Sequence, residues 1–177
     1  MKIYILRHGQ TEWNKENRVA YNKELVLNET GLKQAELARK QLENIDYDLV
    51  ISSPFIRAKT TAEIANNGRK EIIIDERLSE RNIGIIDGEP LEKVNLTDIF
   101  NYYKNIEIEG AENMQDFCKR VWSFLDELKE KYPDKTILLA THNIVIRAIK
   151  AYVLGIPEDG NLRQYGVDNC KIEEYNI

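Results

Sequence analysis

The chain holds two histidines, and each directly follows an apolar, β-branched run. His8 closes Lys2-Ile3-Tyr4-Ile5-Leu6-Arg7, and His142 closes Thr136-Ile137-Leu138-Leu139-Ala140-Thr141. Near neutral pH an imidazole serves as nucleophile, proton carrier or metal ligand. Arg7 adjoins the first histidine, and Arg57 follows a further run that ends at Ser52-Ser53. Arginine presents a planar fork of donors matched to carboxylate or phosphate oxygens. If the runs are parallel strands, their carboxyl ends share one edge, where ligands of such sheets bind. Two imidazoles, two arginines and the N-termini of the following helices then meet there. Helix N-termini carry unpaired N–H groups and partial positive charge, which suit an anion and above all phosphate. The set describes a phosphate pocket.

The elements that would position these groups are legible as alternation. Strand-like runs recur at 2–7, 47–52, 71–75, 135–141 and 169–176, with helix-like stretches between them. Thr30 is a candidate cap for a helix over 31–43, with Leu32, Ala35, Ala38 and Leu42 on one face. Ser53 and Pro54 read as N-cap and first residue of a helix to about Asn66. Asn113 opens a long amphipathic helix with Met114, Phe117, Val121, Phe124 and Leu128 inward, stopped before Pro133. A last, mostly apolar helix covers 144–154 and ends at Gly155. This pattern predicts an α/β fold, a three-layer α/β/α sandwich with a mostly parallel central sheet. The stretch 83–112 is less regular and reads as an excursion that shapes a substrate pocket within a single domain, 1–177.

Bulk properties narrow the function. The 177 residues, 42% of them hydrophobic, suffice for one core without staples. A net charge of −5 argues against a general nucleic-acid or membrane-surface binder. The first residues are too short an apolar run for a signal peptide or membrane span, which points to a cytoplasmic protein, monomeric or homodimeric. Cys118 and Cys170 form no disulfide framework. The distant histidines, with no His-x-x-x-His and no histidine–carboxylate cluster, offer no metal site, and no cofactor is expected.

The motifs resemble the histidine phosphatase superfamily, in its phosphoglycerate mutase-like branch. Leu6-Arg7-His8-Gly9-Gln10-Thr11-Glu12-Trp13-Asn14 is similar to its signature. Leu27-Asn28-Glu29-Thr30-Gly31, Ser52 to Ala62 around Arg57, Leu78-Ser79-Glu80 and Thr141 to Ala148 around His142 follow in the family's order. A histidine at a strand end is more often structural than catalytic, but the ordered set covers nearly the whole chain. The resemblance implies that His8 is the nucleophile of a phosphohistidine mechanism and Glu80 the general acid. It implies that Arg7, Arg57, Asn14 and His142 hold phosphoryl oxygens, with Thr11, the N–H groups near Gly9, and Asn143 in support. Where relatives often carry glycine after the second histidine, this chain has Asn143. Its Gly84-Ile85-Ile86-Asp87-Gly88 and its loop Asn17 to Val26 also depart from the usual pattern.

The reading is therefore phosphomonoester hydrolysis of a small phosphorylated metabolite, independent of metal. Sugar phosphates, phosphoglycerate-like acids and α-ribazole phosphate are candidates by resemblance. The alternatives are a phosphoglycerate mutase and a non-catalytic phosphate-binding module. Mutases of the family resemble longer chains with an insertion between acid and second histidine. Here that interval must also hold a long helix and a strand, which leaves little chain for a lid.

Overall fold

A computed structural model describes residues 1–22 and 24–177. Along the chain run β1 (Lys2–Arg7), α1 (Glu12–Lys15), α2 (Glu29–Leu42), β2 (Leu49–Ser52), α3 (Ile56–Asn66) and β3 (Ile72–Ile74). Then come α4 (Leu96–Ile99), α5 (Met114–Lys131), β4 (Thr136–Thr141), α6 (Asn143–Leu154) and β5 (Ile172–Asn176), with short 3₁₀ turns between. The sheet order is β3-β2-β4-β1-β5. Every pairing is parallel except that of β5 with β1. The register sets Arg7 opposite Thr141 and Ser52 opposite Ala140, so three strands end together.

Because side chains alternate across a strand, β4 is buried on both faces. Ile137 and Leu139 join Phe117, Val121, Val145 and Ile149 of α5 and α6 in one core. Leu138 and Ala140 join Ala35, Ala38, Ala62 and Ala65 of α2 and α3 in another. Helices thus cover both faces of the sheet, as the alternation of runs required. The alanine-rich side lets α2 and α3 lie close; the other side fills its greater depth with large residues.

Several expected boundaries move. Asn28, not Thr30, caps α2: its side chain accepts the Gly31 N–H at 2.9 Å. Leu32 is 43% exposed, whereas Gly31 is buried in its place beside Ala35 and Ala38. At α3 the N-cap is Phe55, without a side-chain cap, and Ser53 and Pro54 precede the helix. The final strand begins at Ile172 rather than 169, after a turn in which Cys170 takes a φ of 54°. Asn113 does cap α5, accepting from Gln115 and Asp116. The segment 83–112 adds no strand to the sheet; isolated bridges join it to its surroundings at Arg18 with Pro90 and Asn101 with Asn161, and Ile83 with Ala111 closes it on itself. Gly84 there adopts a φ of 59°, and a Cβ would lie 2.0 Å from the Glu109 carbonyl oxygen. Among the described residues no helix is long and apolar enough to cross a membrane.

The turn after β1 is wedged against the start of α2. A Cβ on Gly31 would sit 2.2 Å from the Gln10 carbonyl oxygen, and one on Gly9 would sit 2.5 Å from that of Gly31. Both obstacles are backbone and cannot rotate aside. Gly31→Ala is therefore expected to lower stability by about 1–3 kcal/mol, the range for overpacking. The check is urea denaturation, where the midpoint falls and the slope stays unchanged.

Candidate functional site

His8 leaves β1 and points into a buried corner at 3% exposure. Its Nδ1–H donates to the Gly9 carbonyl at 2.7 Å, which fixes the tautomer because a carbonyl can only accept. Nε2 therefore carries the lone pair, and Arg57 Nε donates to it at 3.3 Å. Burial first, then the Arg57 and Arg7 charges, hold the His8 imidazolium well below its usual pKa. A neutral ring with one nitrogen tied back, and the lone pair of the other met only by a long contact from a guanidinium, suits a nucleophile once an anion draws that guanidinium away.

His142 occupies the N-cap position of α6 and lies 5.2 Å from His8, ring centre to ring centre. Ser53 Oγ is 2.7 Å from its Nε2 and also accepts the Phe55 N–H. The pairing that uses the Ser53 hydroxyl proton has it donating to Nε2, which leaves the ring proton on Nδ1. That Nδ1 is buried with no partner. Burial and the neighbouring Arg57 keep this imidazole neutral too.

The arginines differ in setting. Arg57, the second residue of α3, is fully buried, its Nη atoms donating to the Asn22 and Ala20 carbonyls. Burial pulls its pKa down to about 10, so it stays charged at neutral pH. Arg7 donates to the Val167 carbonyl, and its Nε is buried without a partner. Glu80 accepts from the amides of Arg81 at 3.0 Å and Ile144 at 3.3 Å. Burial raises its pKa, outweighing Arg57 and the two amides, which favour the carboxylate. A buried acid poised to keep or release a proton suits general acid–base work.

A cavity of about 300 Å³ opens on this corner. Arg7, His8, Asn14, Glu80 and Asn143 line it, while Arg57 and His142 stand beside His8 in the interior. The other expected residues have structural employment. Gly9 N–H donates to Thr61 Oγ1, and Thr11 and Asn14 form a reciprocal capping box at α1. Gly9 thus serves close packing and offers no free N–H donor to a phosphate, and Thr11 does not reach the cavity wall. Asn143 Oδ1 accepts the Val167 N–H, fastening the loop that also holds Arg7. Arg147 donates to the Leu162 and Arg163 carbonyls and covers the Phe100 ring at 4.5 Å, so it packs against a loop. Tyr102 stacks on Trp122, and Tyr103 and Trp13 are likewise absent from the wall. Cys118 and Cys170 are buried, their thiols pushed up to about 12 and so unreactive.

Two residues were not foreseen. Asn169 donates to the His8 carbonyl at 2.9 Å and lines the cavity. Ser53, expected as a helix cap, serves His142 instead. The Asn169 contact follows from β5 pairing with β1, which a linear reading does not reveal. A serine at the carboxyl end of β2, facing β4, was the available signal for Ser53.

Comparison with known proteins gives a consistent picture. A profile of the Histidine phosphatase superfamily (branch 1) matches residues 3–177. The chain is 28% identical over 186 residues to the "Uncharacterized phosphatase PhoE" of Bacillus subtilis, covering 99% of this chain and 94% of that one. It is 29% identical to "Phosphoserine phosphatase 1" of Hydrogenobacter thermophilus, over 96% of this chain and 83% of the other. Among solved structures, a mycobacterial glucosyl-3-phosphoglycerate phosphatase in complex with VO3 superposes with a TM-score of 0.86 at 25% identity, covering 98% and 91% of the two chains.

With two histidines in the chain, their titration is directly readable by nitrogen-detected NMR. Both rings are expected to remain neutral well below the ordinary midpoint near about 6.5, each with its proton on Nδ1. Arg57→Met removes a positive charge from both, so both midpoints are expected to rise. Midpoints that stay put would show that burial alone sets them.

Proposed function

The chain belongs to branch 1 of the histidine phosphatase superfamily, and on that premise we propose that it is a phosphomonoester hydrolase acting through a phosphohistidine at His8. The observation that carries the reading is the fixed His8 tautomer, with Nε2 presented beside a buried guanidinium. The Nε2 lone pair attacks phosphorus as the bond to the ester oxygen breaks, and the Glu80 proton passes to the departing alkoxide. In the second half Glu80, now a carboxylate, takes a proton from water; the water oxygen bonds to phosphorus, and the N–P bond breaks. Inorganic phosphate leaves, His8 is neutral again, and Glu80 has its proton back.

Positioning and charge supply most of the rate enhancement, because the transition state for phosphoryl transfer is loose. Arg7 lines the cavity and has a buried, unpartnered Nε, and a phosphoryl oxygen competes with the Ala20 and Asn22 carbonyls for Arg57. The unpartnered Nδ1–H of His142 is a further donor, and the Asn14 amide lines the wall. Each charge-assisted bond contributes about 1.5–3 kcal/mol. The reaction proposed is metal-independent and acts on a small phosphorylated substrate, with the positive charge supplied by Arg7 and Arg57.

Two experiments test this. Acid quench during turnover of a phosphorylated aryl substrate is expected to trap one phosphoryl group on His8, and His8→Ala to abolish both label and phosphate release. Turnover that survives His8→Ala overturns the proposal, and label that leaves to a second hydroxyl instead of water identifies a mutase. For Glu80→Gln the expected loss is about 10²–10⁴-fold on alkyl esters. It should be much smaller on p-nitrophenyl phosphate, whose leaving group needs no proton. Since burial raises the Glu80 pKa, wild-type kcat/KM on alkyl esters falls as pH climbs past that value. The same limb is absent in Glu80→Gln.

A further inference from the structure

The cavity has two chemically different ends. Asn14, Asn143 and Asn169 line the end near Arg7, His8 and Glu80. Beyond them the wall is mostly apolar, with Ile83, Ile86, Leu91, Val94, Leu96 and Phe100 from the segment after Glu80, and among the described residues Asn17 is its one uncharged polar side chain there. One further charged side chain lines it among the described residues: Arg18. Its Nε is 2.7 Å from a Glu16 carboxylate oxygen, and its Nη1 donates to the Gly88 carbonyl at 2.8 Å. That charge is already paired and hydrogen-bonded.

Resting on the hydrolase reading above, we infer that the substrate is the phosphomonoester of an apolar, uncharged alcohol, aryl or medium-chain alkyl. The apolar residues offer no counter-charge for a substrate carboxylate, and Arg18 would have to give up Glu16 and the Gly88 carbonyl to meet one. A hydroxyl pressed against those apolar residues exchanges water for nothing, which weakens binding about tenfold or more. Phosphoglycerate-like acids and sugar phosphates therefore meet the wrong surface, whereas each methylene placed there strengthens binding about three- to fourfold. Size sets the upper limit. An apolar cavity of about half this volume takes up benzene, so the space left beside a phosphoryl group holds one aromatic ring or a chain of about six carbons.

The test is a series of n-alkyl phosphates from methyl to octyl, with phenyl phosphate, 3-phosphoglycerate, phosphoserine and glucose 6-phosphate, scored by phosphate release. The expected kcat/KM rises about three- to fourfold per methylene up to hexyl and then levels. Each acid and the sugar ester should fall at least about a hundredfold below hexyl phosphate. A flat series, or preference for an acid or sugar ester, overturns the inference while leaving hydrolysis intact. Ile86→Asn and Leu96→Asn are each expected to lower the hexyl-to-methyl ratio about fivefold, and an unchanged ratio in both overturns the assignment of the wall. Binding of n-alkyl phosphonates to the wild-type protein separates the two readings. If no ester is hydrolysed, affinity that rises with chain length still supports the apolar class, and affinity indifferent to length overturns it.

Discussion

Two guanidinium groups share a dehydrated corner with one carboxyl group, and the rest of the site follows from that imbalance. Positive charge without its full complement of counter-charge is costly in a medium that excludes water. The protein contains that cost by spending the guanidinium donors on backbone carbonyls at Ala20, Asn22 and Val167, which spread the charge without cancelling it. The two imidazoles cannot add to it, so they stay neutral, and neutrality is what a nitrogen nucleophile requires. A phosphate dianion brings the missing charge. On the proposed reading, affinity for the anion and reactivity toward it thus have one electrostatic origin.

The sheet supplies the geometry for this balance. β1, β2 and β4 end in register, so residues far apart in sequence are delivered within hydrogen-bonding range without a long loop holding any of them. The wedge between Gly9 and Gly31 ties the first of these ends to α2. β5 lies antiparallel to β1, and the turn leading into it reaches the His8 carbonyl through Asn169. Contacts from the Gly9 carbonyl, Arg57 and Asn169 hold His8, the proposed nucleophile, in place. Such preorganisation is the main contribution a protein makes when the chemistry itself needs little covalent assistance.

Much of this was readable from the chain, for identifiable reasons. Runs such as Ile137 to Ala140 have no polar interruption because both faces of the strand are covered, and that continuity marks a central parallel strand. His8, Arg57, Glu80 and His142 stand at element ends, where the topology had to gather them. Helix starts were less legible: Thr30 and Ser53 are good caps in isolation, but Asn28 and the demands of His142 overrode them. Gly9 and Thr11 have structural hydrogen bonds that the sequence does not announce, because adjacency to His8 says nothing about where an N–H points. The apolar wall lay hidden in a stretch without periodicity, since 3₁₀ turns and positive-φ glycines impose no repeat on side chains.

That wall has a consequence for how such a protein diversifies. The segment carrying Ile83, Ile86 and Leu91 donates no strand to the sheet and is fastened by single bridges, whereas His8, Arg57 and His142 sit on or beside paired strands and long helices. Substitutions, insertions or deletions within it can exchange one leaving group for another while the reaction centre keeps its shape. Selection can therefore retune the choice of ester independently of the machinery that cleaves it, and descendants of one ancestor can divide many metabolites among themselves.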